Sequence, residues 1–165
     1  MNARNDRGFT VAASGDFDIV MTRVFDAPRR MVFDAFTKPE LVKRWLLGPD
    51  GWAMPVCELD PRPGGGIRYV WRRDKDGDEM AMHGTFREVV APERTVHAEQ
   101  FDDPWYPGEA LVTTVFAEQG GRTTVTMTMH LETREARDGV LKSGMESGVA
   151  RSYERLDDVL AAVVA

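Results

Sequence analysis

The end of the chain, residues 134–164, carries apolar positions at the spacing of an α-helix, with charged residues between them. The stripe consists of Leu141, Met145, Gly148, Val149, Ser152, Leu156, Val159, Leu160 and Val163. This pattern predicts one long amphipathic helix. Because one face of such a helix is apolar along its whole length, the helix needs a broad apolar surface to cover.

Three glycines interrupt the predicted helix, namely Gly139, Gly144 and Gly148. Each costs about 1 kcal/mol relative to alanine in a helix interior, so other contacts must offset that cost. In one interpretation, Gly139 marks a break after a first turn capped by Thr133, and Gly148 lets the helix approach the sheet closely. In the other interpretation, Gly144 and Gly148 make room for a ligand between helix and sheet.

Nearly all of the segment 17–131 alternates between apolar and polar residues, which predicts β-strands joined by short turns. After a first strand over residues 17–25, Pro28 and Pro39 each open a short helix. Six further strands follow, and the last one ends at Leu131. This order predicts an α+β fold, in which a curved antiparallel sheet of about six or seven strands wraps around the long C-terminal helix.

The ends of the chain define its predicted domain organisation. Residues 1–15 are small and polar without periodicity, so we expect a flexible N-terminal tail. Residues 16–165 have the length of one domain with a substantial core.

Charge and composition narrow the functional classes. The chain has 27 acidic and 21 basic residues and a net charge of −6, which argues against nucleic acid or a membrane surface as partner. Cys57 is the only cysteine, and His83, His97 and His130 lie on three different predicted strands, so we expect no disulfide, metal or cofactor. The first sixteen residues contain no hydrophobic segment of signal-peptide length, and no apolar run approaches the length of a membrane span. We therefore expect a cytoplasmic protein.

Several short motifs occur together and in a fixed order. They are Ala27-Pro28, Val32-Phe33-Asp34-Ala35-Phe36, Pro39-Glu40-Leu41, Arg44-Trp45, Gly48-Pro49, Asp60-Pro61-Arg62-Pro63-Gly64-Gly65, His83-Gly84-Thr85 and Pro92-Glu93-Arg94. Through them the chain resembles the family named for activator of heat-shock-protein-90 ATPase homologues, which belongs to the START-like superfamily, also called SRPBCC. The resemblance covers about residues 17–163.

The resemblance implies a helix-grip fold, in which the curved sheet wraps the C-terminal helix around an internal cavity. Such cavities host ligands in lipid carriers, hormone receptors and polyketide cyclases, so the resemblance is specific for the fold and not for the function. Relatives often carry a tryptophan soon after the glycine in the middle of the last helix. Here Val149 follows Gly148, and this smaller residue would enlarge the cavity.

The family positions of Ile67, Tyr69 and Trp71 imply that these side chains face inward. Side chains of the same strand parity then line the concave face, and the helix stripe adds others; the predicted set is Met54, Tyr69, Trp71, Met82, Phe86, Phe101, Met127, Met145, Val149 and Ser152. We expect Trp45 and Trp105 at the mouth of the cavity. A wall of methionine and aromatic side chains suits a flexible apolar ligand. The alternative is that the same side chains simply fill the core.

Two polar side chains, Glu99 and His97, share the inward parity of their strand with Phe101. A carboxylate in an apolar cavity could act as a general acid or base, with the imidazole as its partner. The alternative is a solvated Glu99 near the end of a strand.

Three functions are compatible with these features. The first is binding of a small hydrophobic ligand between sheet and helix. The second is an enzyme of cyclase or hydrolase type that uses Glu99 as acid or base. The third is a chaperone-associated protein that works through its outer surface, although the chain has no separate N-terminal domain of the kind that a full chaperone ATPase activator carries.

Overall fold

The computed structural model describes residues 7–164, which form an antiparallel sheet and four helices. The strands are β1 (Thr10–Ser14), β2 (Asp18–Phe25), β3 (Trp52–Leu59), β4 (Gly66–Arg73), β5 (Glu79–Val90), β6 (Arg94–Phe101), β7 (Ala110–Gln119) and β8 (Arg122–His130). The helices are α1 (Arg29–Thr37), α2 (Pro39–Trp45), α3 (Arg134–Lys142) and α4 (Met145–Val164). No helix in this range is both long and apolar enough to cross a membrane.

All eight strands belong to one sheet with the order β1-β2-β8-β7-β6-β5-β4-β3. Strands β3 to β8 form consecutive hairpins, and β2 pairs with the far side of β8. The curved antiparallel sheet with its C-terminal helix confirms the predicted helix-grip fold, and the sheet has one strand more than the upper predicted number.

The additional strand, β1, corrects the prediction of a flexible tail over residues 1–15. Thr10–Ser14 pairs with β2, from Thr10 opposite Thr22 to Ser14 opposite Asp18. The sequence does not reveal this strand because it lies at the sheet edge and four of its five residues are exposed, so no buried apolar alternation marks it. Residues 1–6 of the predicted tail lie outside the described residues.

The C-terminal region forms two helices and not one. Thr133 caps α3 as expected, because its side-chain oxygen accepts a hydrogen bond from the Ala136 N–H at 3.0 Å. The break comes at Gly144, whose φ of 83° lies in the left-handed region that favours glycine. Gly139 lies inside α3 and marks no break, so that part of the prediction is wrong.

The C-terminal half of α4 packs against a closed aromatic and aliphatic core. This core contains Phe25, Ala27, Val32, Phe33, Ala35, Trp45, Phe116, Val125, Tyr153, Leu156, Val159 and Leu160. Beside it, Arg23 is only 1% exposed and donates two hydrogen bonds, of 2.7 and 2.6 Å, to the Asp157 carboxylate. This ion pair fixes β2 to α4.

Candidate ligand-binding site

A cavity of about 460 Å³ lies between the concave face of the sheet and the helical layer. Strands β2 to β8 supply one wall, and the other is made by the end of α1, by α2, by residues 46–49 and by the first half of α4. Its lining is mostly aliphatic, aromatic or methionine. Among the described residues, His97 and Glu99 are the only lining side chains that carry an imidazole or a carboxyl group, and no lysine, arginine or aspartate lines the cavity.

Methionine is the most characteristic component of this lining. Six of the eight methionines within residues 7–164 border the cavity, namely Met21, Met80, Met82, Met127, Met129 and Met145. Because methionine is unbranched, flexible and polarisable, such a wall can adapt to ligands of different shape.

Most of the side chains expected at the site lie around the cavity. These are Trp45, Tyr69, Trp71, Met82, Phe86, His97, Glu99, Phe101, Met127, Met145, Val149 and Ser152. The strand parity used for the prediction therefore agrees with the observed concave face. Their role in ligand binding remains the prediction made from the sequence.

The prediction was wrong for Met54 and Trp105, because neither side chain lines the cavity. Met54 is buried in one cluster with Tyr69, Trp71 and Met82, which do line the cavity, but its own side chain does not border the open space. Trp105 is 52% exposed and packs edge-on against Tyr106, with ring centroids 5.1 Å apart.

The mouth of the cavity also differs from the prediction. Trp45 is buried deep in the wall, where its indole N–H donates to the Ala35 carbonyl oxygen at 2.9 Å. The most exposed lining residues are Pro49 and Met80, the latter 44% exposed. The opening therefore lies between the loop after α2 and the hairpin that joins β4 to β5.

The loop after α2 is fastened to its surroundings by long-range hydrogen bonds. The Gly48 N–H donates to the Ser152 hydroxyl oxygen at 2.9 Å, and Arg155 donates to the Gly48 carbonyl oxygen at 2.7 Å. The Trp71 indole N–H donates to the Leu46 carbonyl oxygen at 2.8 Å. Ser152 was expected as a polar group facing a ligand, and the structure shows that its oxygen holds this loop.

At Gly148, α4 faces the same loop at a distance that would also accommodate a Cβ atom in ordinary van der Waals contact. A Cβ atom at this position would lie 3.4 Å from Pro49 Cδ and 3.7 Å from Gly48 Cα. The first interpretation proposed that Gly148 faces the sheet. The structure shows that Gly148 faces the loop after α2 instead. Gly148 also lines the cavity, as the second interpretation proposed, whereas Gly144 does not.

His97 and Glu99 form the polar centre of the sheet wall. His97 Nε2 lies 2.8 Å from Glu99 Oε1, and the two side chains are 16% and 12% exposed. Glu99 therefore does not extend into solvent, contrary to the alternative considered from the sequence. Phe86 packs edge-on against the imidazole, with ring centroids 6.0 Å apart.

Gly84 pairs with Glu99 on the neighbouring strand, so no side chain covers the carboxylate from that position. A Cβ atom at Gly84 would lie 2.0 Å from the Ala98 carbonyl oxygen, which excludes any larger residue without a backbone shift. The glycine of the His83-Gly84-Thr85 motif is therefore required by the close approach of β5 and β6.

Two buried tyrosines, Tyr69 and Tyr106, have pKa values that are raised by burial and, to a smaller extent, by the charge of Glu99. Burial raises the pKa of Tyr69 well above its ordinary value, and the charges of Cys57 and Glu99 raise it further. Burial and the Glu99 charge raise the pKa of Tyr106 to about 12. Both phenols therefore keep their protons at neutral pH and can donate hydrogen bonds.

Cys57 has no features of a nucleophile. Burial raises the pKa of its thiol to about 11, and Sγ lies 3.6 Å from the Pro39 carbonyl oxygen, to which it donates. Within residues 7–164, no group of three His, Cys, Asp or Glu side chains is placed to hold a metal ion.

Sequence reasoning missed Met21, Thr95, Thr114, Tyr153 and the loop segment 46–49 as parts of the lining. The parity that placed the other β6 side chains would also have found Thr95. The loop has no periodic pattern, and only its contacts with α4 bring it to the cavity.

Residues 26–161 match the model of the family described as Activator of Hsp90 ATPase homolog 1-like protein. The chain belongs to this family. Proteins of this family commonly bind hydrophobic ligands. No curated protein matches the chain.

Solved structures of similar proteins share its fold. A Rhodobacter sphaeroides protein is 32% identical, with a TM-score of 0.87, and the match covers 93% of this chain and 98% of that one. A Staphylococcus epidermidis protein is 26% identical, with a TM-score of 0.80 and coverage of 94% and 96%. The Mycobacterium smegmatis protein Ms6760 is 24% identical, with a TM-score of 0.82 and coverage of 94% and 99%, and supports the fold alone.

Proposed function

We propose that this protein binds a small hydrophobic molecule in the cavity between the sheet and α4. The observation that carries the proposal is a cavity of about 460 Å³ with an almost uncharged lining. Small-molecule sites in proteins have volumes of roughly 300–1,000 Å³, are mostly apolar and contain a few polar groups that orient the ligand.

The position of the space supports binding more than incomplete packing. Protein interiors normally contain few voids larger than a water molecule. Here the empty space is concentrated at one end of α4, while the other end of the same helix packs tightly. The loop at residues 46–49 is hydrogen-bonded in place around this space, so the wall is preformed.

Native mass spectrometry of the freshly purified protein tests this proposal first. We expect a fraction with added mass, and denaturing extraction should release an apolar compound in matching amount. An apo protein that also gains no thermal stability from a panel of apolar compounds would contradict the proposal, because ligands that bind only the folded state stabilise it.

A cavity-filling variant locates the binding. In Val149→Trp the larger side chain would occupy space beside the loop, so the affinity for the released compound should fall by about tenfold or more, the effect of roughly 1.4 kcal/mol. Val163→Trp is the matched control, because Val163 lies on the same helix but is exposed and does not line the cavity. Equal loss of ligand in both variants would place binding elsewhere.

The second candidate function is an enzyme of cyclase or hydrolase type that uses Glu99 for proton transfer. The observation that favours it is the shielded His97–Glu99 pair in the cavity wall. If the compound released by extraction is turned over, Glu99→Gln should lower the rate by about 100-fold or more, the usual contribution of acid–base catalysis. Unchanged turnover in a folded Glu99→Gln protein would remove this candidate.

A further inference from the structure

The charges around the cavity set a limit on its ligand. Among the described residues, no lysine, arginine or aspartate lines the cavity, and Glu99 is the only acidic group there. The arginines nearest the mouth are engaged elsewhere, since Arg151 and Arg155 both donate to the Asp50 carboxylate at 2.9 Å. A carboxylate or phosphate ligand would therefore meet Glu99 without a fixed cation of its own, since His97 is already paired.

One oxygen of Glu99 is available to a ligand. Oε1 is next to His97, and no hydrogen bond within residues 7–164 reaches Oε2. In the same part of the chain, no fully buried side-chain oxygen or nitrogen lacks a partner, so Oε2 keeps some accessible surface. Because Glu99 is a lining residue and Gly84 leaves its flank uncovered, this surface faces the cavity.

Hydroxyl groups accompany this oxygen along the sheet wall. Thr95 lies on the same face of β6 and pairs with Thr114 on β7, and both side chains line the cavity. Tyr69 lines it from β4, and its phenol keeps its proton. The opposite wall, which includes Trp45 and Val149, is mostly apolar, and the hydroxyl of its Ser152 accepts from the Gly48 N–H.

We propose that the cavity selects hydrophobic molecules that carry a hydrogen-bond donor, a hydroxyl or an amine, and that Glu99 binds this donor. This inference rests on the proposed function and adds the chemical class of the ligand. It places the polar end of the ligand at β6 and its apolar body against the helical wall. Apolar acids of the same size are rejected, because the acid would place a negative charge beside Glu99.

Four compounds with one ring system test the inference: naphthalene, 2-naphthol, 2-naphthylmethylamine and 2-naphthoate. Binding to the purified full chain is measured by calorimetric or fluorescence titration. We expect the alcohol and the amine to bind about tenfold more tightly than naphthalene, the effect of one hydrogen bond to a charged group. We expect the acid to bind more weakly than naphthalene.

The Glu99→Gln variant tests whether Glu99 causes this selectivity. The amide keeps the size of the side chain and removes its charge, so the variant should bind 2-naphthoate about tenfold more tightly than wild type and lose most of its preference for the amine. Glu146→Gln is the matched control, because Glu146 is exposed on α4 and outside the lining, and it should leave all four affinities unchanged.

The outcomes separate this inference from the proposed function. If naphthalene and 2-naphthoate bind as tightly as 2-naphthol, the cavity binds apolar molecules but the inference is wrong. If the Glu99→Gln variant keeps the selectivity of the wild type, Glu99 does not bind the donor group of the ligand, and the inference is wrong. If none of the four compounds binds, the inference is wrong, whereas the proposed function fails only if native mass spectrometry also finds no bound apolar compound.

Discussion

The two halves of α4 face the same sheet but make opposite kinds of contact. In the C-terminal half, Leu156, Val159 and Leu160 are buried in a closed core. In the N-terminal half, Met145 and Val149 border a cavity of about 460 Å³. Because the helix is continuous, the difference comes from the side chains that meet it and not from a change in the backbone.

Tyr153 marks the boundary between the two halves. Its ring lies within 5.2–6.4 Å of the rings of Phe9, Phe25, Phe36 and Trp45, and it also lines the cavity. Beyond this aromatic cluster, the helix contributes small or flexible side chains opposite methionines. The comparison shows that a helix-grip fold keeps its sheet-to-helix frame while side-chain size decides where the interior remains open.

The largest expected effect comes from alkaline pH, because all three tyrosines are buried and have raised pKa values. The folded state keeps these protons where the unfolded chain loses them, so stability is full below about pH 10 and falls as the pH rises through the folded values. At about pH 11 the loss should be roughly 1.4 kcal/mol for each tyrosine, or about 4 kcal/mol in total.

Ultraviolet absorbance of tyrosinate, recorded together with circular dichroism, measures this effect. Tyrosinate should appear only as the helical signal disappears. Ionisation near pH 10 with an intact fold would show that the phenols of both halves are accessible to hydroxide, and would contradict the packing around Tyr153 and Tyr69.

Truncation of one side chain in each half tests the comparison directly. Leu156 is 0% exposed in the closed core, so Leu156→Ala should lower the free energy of unfolding by about 3 kcal/mol. Val149→Ala should cost about 1 kcal/mol or less, because it enlarges a space that is already open. Urea denaturation measures both values, and equal losses would mean that the two halves are packed alike.

The ion pair of the closed half should contribute a smaller amount. Asp157→Asn leaves the guanidinium of Arg23 buried without its counter-charge, which should cost about 2–3 kcal/mol, less than for a fully buried pair because Asp157 is partly exposed. Asp158→Asn is the control on the exposed face and should change stability by less than about 0.5 kcal/mol. A similar small change in both variants would show that the pair is screened by water.

Two glycine substitutions should give the smallest effects, with opposite signs. Gly144→Ala forces a side chain into the left-handed conformation before the open half of α4, at a cost of about 1–2 kcal/mol. Gly139→Ala, inside α3 with no atom within 4 Å of the added Cβ, should stabilise the protein by about 1 kcal/mol. Thermal unfolding compares them, and stabilisation by both would show that Gly144 does not separate the helices.

Local patterns in the sequence were sufficient for the architecture. Alternation along β2 and β4 to β8 predicted strands whose inward faces agree with the structure, because a half-buried strand imposes a period of two. The same argument failed at β1, where an exposed edge strand imposes no apolar period.

Features that depend on distant contacts could not be predicted. The helix break falls at Gly144 and not at Gly139, because the chain must turn between α3, which packs in a cluster with Ile19 and Met21, and α4, whose C-terminal half packs in a different cluster. The hydrogen bond between Gly48 and Ser152 joins residues far apart in the chain, so no local pattern indicates it. The volume of the cavity depends on many such long-range contacts, and local patterns in the sequence therefore do not predict it.

The fastening of the loop after α2 has a kinetic consequence. Ser152 and Arg155 hold Gly48 of this loop, and the Asp74 N–H of the β4–β5 hairpin donates to the carbonyl oxygen of Gly51 in the same loop at 2.8 Å. With the loop held to both α4 and the hairpin, we expect entry and exit of a proposed ligand to require only side-chain motion at the mouth, such as rotation of the exposed Met80, which is fast. The lifetime of a complex is then set by how strongly the cavity holds its ligand and not by the opening of a lid.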